Sequence, residues 1–313
     1  MAVQSLSRHF TTFFSRLNPS TTFSDTAASQ HNTIRGLIEN TNGPAAELAP
    51  KTFLQGSYRQ QTAIYTINDV DIVVLCNLTY PGTPGPGGGK SYGRDEIFRI
   101  IAAPLLADGR YRDKVRYGAQ SMCIKVDLGI KVEILPVVFK KGTTDSTHEP
   151  FVLYRPHKGT WEDGYARHHQ SWLSMKNSKE RTSCNFVPAI KVLKHIRSRF
   201  NLSAVSFHLE CLLYFLQDGT FVGGPADYLA TVLRSIAVHK PEEWYRTNVM
   251  TPCGDRDIFT ANEWTTEEWW KFHDLIVRCS KVADQAIAAA SEREAVECWQ
   301  AVLGDDFFPA QVL

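Results

Sequence analysis

Two aspartates one residue apart, Asp69 and Asp71, open a run of Val, Ile and Leu (Val70, Ile72, Val73, Val74, Leu75) that reads as a buried strand. Residues i and i+2 of a strand share a face, so the two carboxylates project together while Val70, Ile72 and Val74 pack the other side. Carboxylates in such a strand are costly unless a metal or hydrogen-bond donors compensate them. Mg²⁺ suits the pair, because it takes one or two carboxylates together with substrate phosphates. Taken alone, D-x-D is more often an ordinary strand end, so its surroundings decide the reading. Gly56-Ser57 follows the extended Phe53-Leu54-Gln55 a short distance upstream. Successive N–H groups in such a turn can cradle an anion, Gly allows close approach, and the Ser hydroxyl adds a donor. By itself Gly-Ser is an ordinary turn.

A third carboxylate, Glu133, stands in Lys131-Val132-Glu133-Ile134-Leu135-Pro136. It reads as a solvent-facing edge position unless its strand lies beside the aspartates. In that case three carboxylates could hold two ions, which would activate an attacking hydroxyl and stabilise a pyrophosphate leaving group. Asp127 shares strand parity with Glu133 and is the other candidate for the third carboxylate.

The elements that must position these groups follow from the apolar spacing. Phe10, Phe13, Phe14 and Leu17 space as an amphipathic helix. This outweighs the resemblance of the acid-free, Ser/Thr/Phe-rich first two dozen residues to a transit peptide. Ser24-Asp25 is the expected N-cap of a helix carrying Ile34, Leu37 and Ile38, and extended sequence resumes at Thr52. Tyr80 to Gly89 is a Pro/Gly loop. A helix is expected over 95–106, and two strands over 122–128 and 130–139 joined at Gly129. Beyond about residue 160 helical periodicity takes over, with helices expected at 165–176, 186–200, 206–216, 226–238, 266–291 and 292–303. The chain is thus expected to be α/β (α+β) in residues 1–160 and helical in residues 161–313, with a nucleotide cleft between the two lobes.

Composition excludes several classes. The 313 residues hold 34 Lys plus Arg against 33 Asp plus Glu, a formal net charge of +1, which argues against binding nucleic acid by bulk charge. The seven cysteines contain no C-x-x-C pair, so no zinc ribbon or thioredoxin-type site is suggested, and their apolar settings fit reduced thiols in a cytosolic protein. No apolar run is long enough to span a membrane. His168-His169 reads as a polar helix face, Trp264, Trp269 and Trp270 as packing, and Arg110, Arg112, Lys114 and Arg116 as a solvated connection or an acceptor-lining stretch.

Gln55-Gly56-Ser57 with Thr62, then Asp69-Val70-Asp71 and Val132-Glu133-Ile134-Leu135-Pro136, resembles the nucleotidyltransferase signature of the polymerase-β superfamily. Within it the chain is similar to the cGAS/DncV-like nucleotidyltransferases, bacterial cyclic oligonucleotide synthases of anti-phage (CBASS) signalling. Supporting matches are Val192 to Arg197, Ser206 to Glu210, and the tail from Ala295 to Pro309. The resemblance implies a polymerase-β-like mixed sheet with a helical second lobe around a central cleft. It implies Asp69, Asp71 and Glu133 as ligands of two Mg²⁺ (or Mn²⁺) ions, and Gln55, Gly56 and Ser57 as a grip on the donor triphosphate. By motif position Lys194 would contact that triphosphate and Ser206 the base. The usual third carboxylate of the family is Asp, so Glu133 is a departure that keeps the charge and adds a methylene. Read from its residues alone, Lys194 is a solvated helix residue and Ser206 an N-cap.

The implied activity joins nucleoside triphosphates into a cyclic di- or trinucleotide messenger read by a separate effector in the bacterial cytoplasm. It needs no obligatory nucleic acid or membrane, and a regulatory protein is a candidate partner. Two rivals remain. A template-independent enzyme that tails RNA or modifies a small acceptor is disfavoured by the near-neutral charge, and a silent nucleotide-binding module by the complete carboxylate set.

Overall fold

The computed structural model describes residues 6–79, 92–140, 150–259 and 264–312. The Pro/Gly loop expected over residues 80–89 lies outside them. In chain order the elements are α1 (Ser7–Leu17), α2 (Thr21–Ile38), β1 (Lys51–Gln55), α3 (Gly56–Arg59), β2 (Asp69–Thr79), α4 (Arg94–Ala107), β3 (Val115–Arg116), β4 (Ile124–Asp127), β5 (Lys131–Phe139), β6 (Phe151–Arg155) and β7 (Thr160–Gly164). The helices α5 (Ala166–Lys176), α6 (Lys179–Thr182), α7 (Phe186–Arg199), α8 (Ser206–Phe215), α9 (Pro225–Ala237), α10 (Pro241–Trp244), α11 (Thr266–Ala288) and α12 (Glu292–Leu303) follow.

The chain forms two compact units that are discontinuous in sequence. The α/β unit is Ser20–Gln60 with Ile67–His168, and the helical unit gathers the residues up to Pro19, the short stretch Gln61–Thr66 and everything from His169 onward. A single cut near residue 160 therefore misses two excursions of the chain.

In the α/β unit the described strands form one mixed sheet in the order β1-β2-β5-β4-β3, with β6 paired to β5 and β7 to β6. Alternation in β2 sorts its side chains. Ile72, Val74 and Cys76 join Ile34 and Ile38 of α2 and Ile97, Ile101 and Leu105 of α4 in one core, while Val73 and Leu75 pack with Val137, Phe139, Phe151 and Leu153 on the opposite face. Pro136 sits between the β5 residues paired to β4 (131–134) and those paired to β6 (138 and 139), so its missing N–H removes nothing from those two ladders. Helix α2 begins at Thr21 rather than after Ser24, because the extended Ser20 caps it by accepting a hydrogen bond from the Phe23 N–H at 3.1 Å.

The helical unit has one continuous core. Phe10, Phe13 and Leu17 of α1 pack with Phe186, Ile190 and Leu193 of α7, Leu209 and Leu212 of α8, and Trp299 of α12. The amphipathic reading of the first helix is the observed one. Trp264 and Trp269 are buried in an aromatic cluster with Phe259 and Phe272, whereas Trp270 stands exposed. No helix among the described residues is long and apolar enough to cross a membrane.

Candidate active site

The register of the sheet builds one row of polar side chains. β1 runs antiparallel to β2 with Gln55 opposite Asp71, β5 runs parallel to β2 with Glu133 opposite Asp71, and β4 runs antiparallel to β5 with Lys125 opposite Glu133. Directly opposed residues project to the same face. Gln55, Asp71, Glu133 and Lys125 therefore stand side by side across four strands, with Asp69 two residues away on that face. Glu133 is the neighbour of Asp71, as a shared third-carboxylate position requires. Asp127 is opposite Lys131, and its carboxylate accepts the Gly129 N–H at 3.2 Å in the β4–β5 turn.

Gly56 opens α3 directly after Gln55 and bears on Asp71. Its φ is +73°, a conformation side chains disfavour, and a Cβ there would lie 1.9 Å from Asp71 Oδ2. Both constraints select glycine. The Gly56-Ser57 turn consequently lies against the carboxylate row.

Burial, reinforced by crowding of like charge, sets the electrostatics of the row. Burial, then the neighbouring Asp69 and Glu133, push the Asp71 carboxyl up to about 7. The Glu133 carboxylate is engaged on both oxygens, with Lys125 Nζ 2.9 Å from Oε1 and the Cys123 thiol donating to Oε2 at 3.5 Å. Burial and the adjacent Glu133 push that thiol up to about 12, so it stays protonated and able to donate. No group of three or more His, Cys, Asp or Glu is disposed to hold a metal ion among the described residues. The row nonetheless fits a divalent cation. Asp69 and Asp71 offer hard oxygens on one face, and an added cation would relieve the part of the Asp71 shift that its neighbours' charge adds to burial.

Lys194 and Ser206 both lie in the helical unit. Lys194 is buried, its ammonium 2.6 Å from Glu210 Oε1 and donating to the carbonyl and hydroxyl of Thr62 at 3.1 and 3.0 Å. Thr62 in turn donates to Glu210 at 2.7 Å. In this arrangement Lys194 is not a solvated helix residue, and it is buried as a lysine is only when it has a paired charge and satisfied donors. Ser206 is the first residue of α8 without capping it, and its half-buried hydroxyl accepts from Arg197 Nη1 at 2.9 Å.

Of the remaining candidates, His169 meets Cys253 (Nδ1–Sγ 3.5 Å) and His168 stacks on Tyr165, two directions that fit a helix face and no shared ligand set. Arg110 pairs with Asp108, and Arg112 donates to the Leu106 carbonyl at the end of α4. Sequence reasoning missed Lys125, Cys123 and Glu210. The signal for Lys125 was present, since in Ile124-Lys125-Val126-Asp127 it alternates with buried residues and so shares the exposed face of its strand.

A profile of the Second Messenger Oligonucleotide or Dinucleotide Synthetase domain (SMODS) matches residues 4–177. The chain is 27% identical over 225 residues to a cyclic UMP-AMP synthase of Rhodothermus marinus, covering 66% of this chain and 77% of that protein. It is 23% identical over 322 aligned residues to a cyclic AMP-AMP-AMP synthase of Acinetobacter sp., covering 97% of this chain and 86% of that one. The fold is similar to that of CdnC from E. coli MS115-1, solved in complex with HORMA-deltaN, with a TM-score of 0.69 at 17% identity over 96% of this chain and 97% of that one.

Proposed function

The chain belongs to the Second Messenger Oligonucleotide or Dinucleotide Synthetase family, and from this premise we propose that it joins nucleoside triphosphates into a cyclic di- or trinucleotide messenger. A hydroxyl of one nucleotide attacks the α-phosphorus of another, the new O–P bond forms as the bond to the β-phosphate oxygen breaks, the hydroxyl proton is lost and pyrophosphate leaves. A second transfer within the linear intermediate closes the ring.

The observation that carries this reading is the row Gln55–Asp71–Glu133, held in register beside the Gly56-Ser57 turn. Asp69, Asp71 and Glu133 are the groups that would hold Mg²⁺ or Mn²⁺. When bound, the ions would neutralise the developing charge on the phosphates. Gln55 and Ser57, with the Gly56 N–H, would hold the donor's phosphates, and Gly56 leaves room for them beside Asp71. The messenger would act on a separate effector in anti-phage signalling. The HORMA-deltaN complex of CdnC supports a regulatory protein partner for this chain as well.

The test is incubation with each labelled nucleoside triphosphate and Mg²⁺, followed by phosphatase, with Asp69→Asn plus Asp71→Asn as control. Phosphatase-resistant product with the mass of a closed ring from the wild type, and none from the control, supports the reading. Label fully released by phosphatase, or an unaffected control, sinks it.

A further inference from the structure

Glu133 already has a cation. Lys125, its register partner on β4, places Nζ 2.9 Å from Oε1, and the Cys123 thiol takes Oε2. The charge on Lys125 also interacts with Asp69, so this ammonium lies within reach of the cluster that the metal reading assigns to divalent ions. The side chains of the pair are 57% and 29% exposed, and an ion pair in contact with water is weak and readily exchanged. The length of the acidic side chain fits the arrangement, because the additional methylene of glutamate extends its carboxylate across the ladder toward β4.

We infer that Lys125 is a resident counter-ion of Glu133, which a divalent cation must displace before the third carboxylate can ligate it. Resting on the metal-binding reading of the row given above, this makes Lys125 a positioning residue. It pairs with Glu133, shields the like charges of the row from one another, and raises the ion concentration at which the site fills.

Divalent-ion affinity without turnover tests this. Chelator-stripped full-length protein is titrated with Mn²⁺ in the absence of nucleotide, and free Mn²⁺ is followed by electron paramagnetic resonance. The wild type should bind, and Asp71→Asn should lose that binding. Lys125→Met should bind roughly fivefold more tightly, the scale of an exposed pair that no longer has to be broken. Lys125→Arg, which keeps the pair, should match the wild type. General removal of positive charge would also tighten binding, so the same Lys125→Met change is made in a Glu133→Gln background, where the inference requires its effect to shrink to that general part. Unchanged or weaker binding by Lys125→Met, or equal tightening in the Glu133→Gln background, overturns the counter-ion role while leaving the metal site intact. A wild type that binds no Mn²⁺, or binds it as Asp71→Asn does, overturns the metal reading and this inference together.

Discussion

An Asp71 carboxyl raised to about 7 costs the fold stability at neutral pH. The sign follows from proton binding. Between the ordinary carboxylate value near 4 and about 7, the folded chain holds a proton that the unfolded chain has released, so the contribution of this group to stability is full below pH 4 and lost as pH rises through 7. Asp71→Asn removes the ionisation. In chelator at pH 8 it should melt roughly 5 °C above the wild type, with the difference gone near pH 4, and Mg²⁺ should stabilise the wild type alone. Thermal melts across pH check this, and a variant less stable than the wild type at pH 8 contradicts it. Gly56 gives the complementary residue-scale prediction. Since a Cβ there would meet Asp71 Oδ2 at 1.9 Å, Gly56→Ala should lower kcat/KM by about 10²-fold or more, because displacing a reacting group by about 1 Å is that costly. A melting temperature that falls in step with activity would instead make the glycine a merely structural requirement.

Among the elements, α7 and α8 are joined through Lys194, Glu210 and Thr62, all nearly excluded from water. Removing one partner of a buried pair strands the other, so Lys194→Met or Glu210→Gln should each cost about 3–5 kcal/mol, whereas Lys194→Met with Glu210→Leu should recover much of the loss. Chemical denaturation of the three variants measures this, and a double variant as unstable as the sum of the singles counts against it. Element types were legible wherever periodicity was sustained. The expected helix over 186–200 is observed as Phe186–Arg199 and that over 206–216 as Ser206–Phe215, and the strand break at Gly129 is where it was expected. Three strands of the sheet were not legible, the first being the two-residue Val115–Arg116, too short to show alternation. Phe151–Arg155 has no polar alternation in its first half because both faces are covered, and Thr160–Gly164 carries Glu162 and Asp163, which satisfy their charge on Lys158 and Lys140 instead of announcing a strand. The site was legible to the extent that strand parity fixes a face. Asp69 and Asp71 had to share one, but whether Glu133 stood beside them depended on strand order, which no local pattern encodes.

Over the whole chain, residues far apart in sequence are sorted into two units, with α1 and Gln61–Thr66 joining the helices. Local reading could not assign those excursions, because membership is decided by which core buries Phe10, Phe13 and Leu17 and not by their own spacing. The formal net charge of +1 argues against an enzyme that holds a nucleic-acid polymer by bulk charge. The synthesis should accordingly proceed without added nucleic acid, and its rate should fall far less steeply with salt than that of a polymer-binding enzyme; a steep loss between low and physiological salt would favour the tailing activity. Most direct is the mass of the phosphatase-resistant product made by the wild-type protein from nucleoside triphosphates and Mg²⁺. Ring closure predicts a mass equal to the summed nucleoside monophosphates less one water for each linkage, including the closing one. A linear oligonucleotide that has lost its terminal phosphates to the phosphatase would contradict the account.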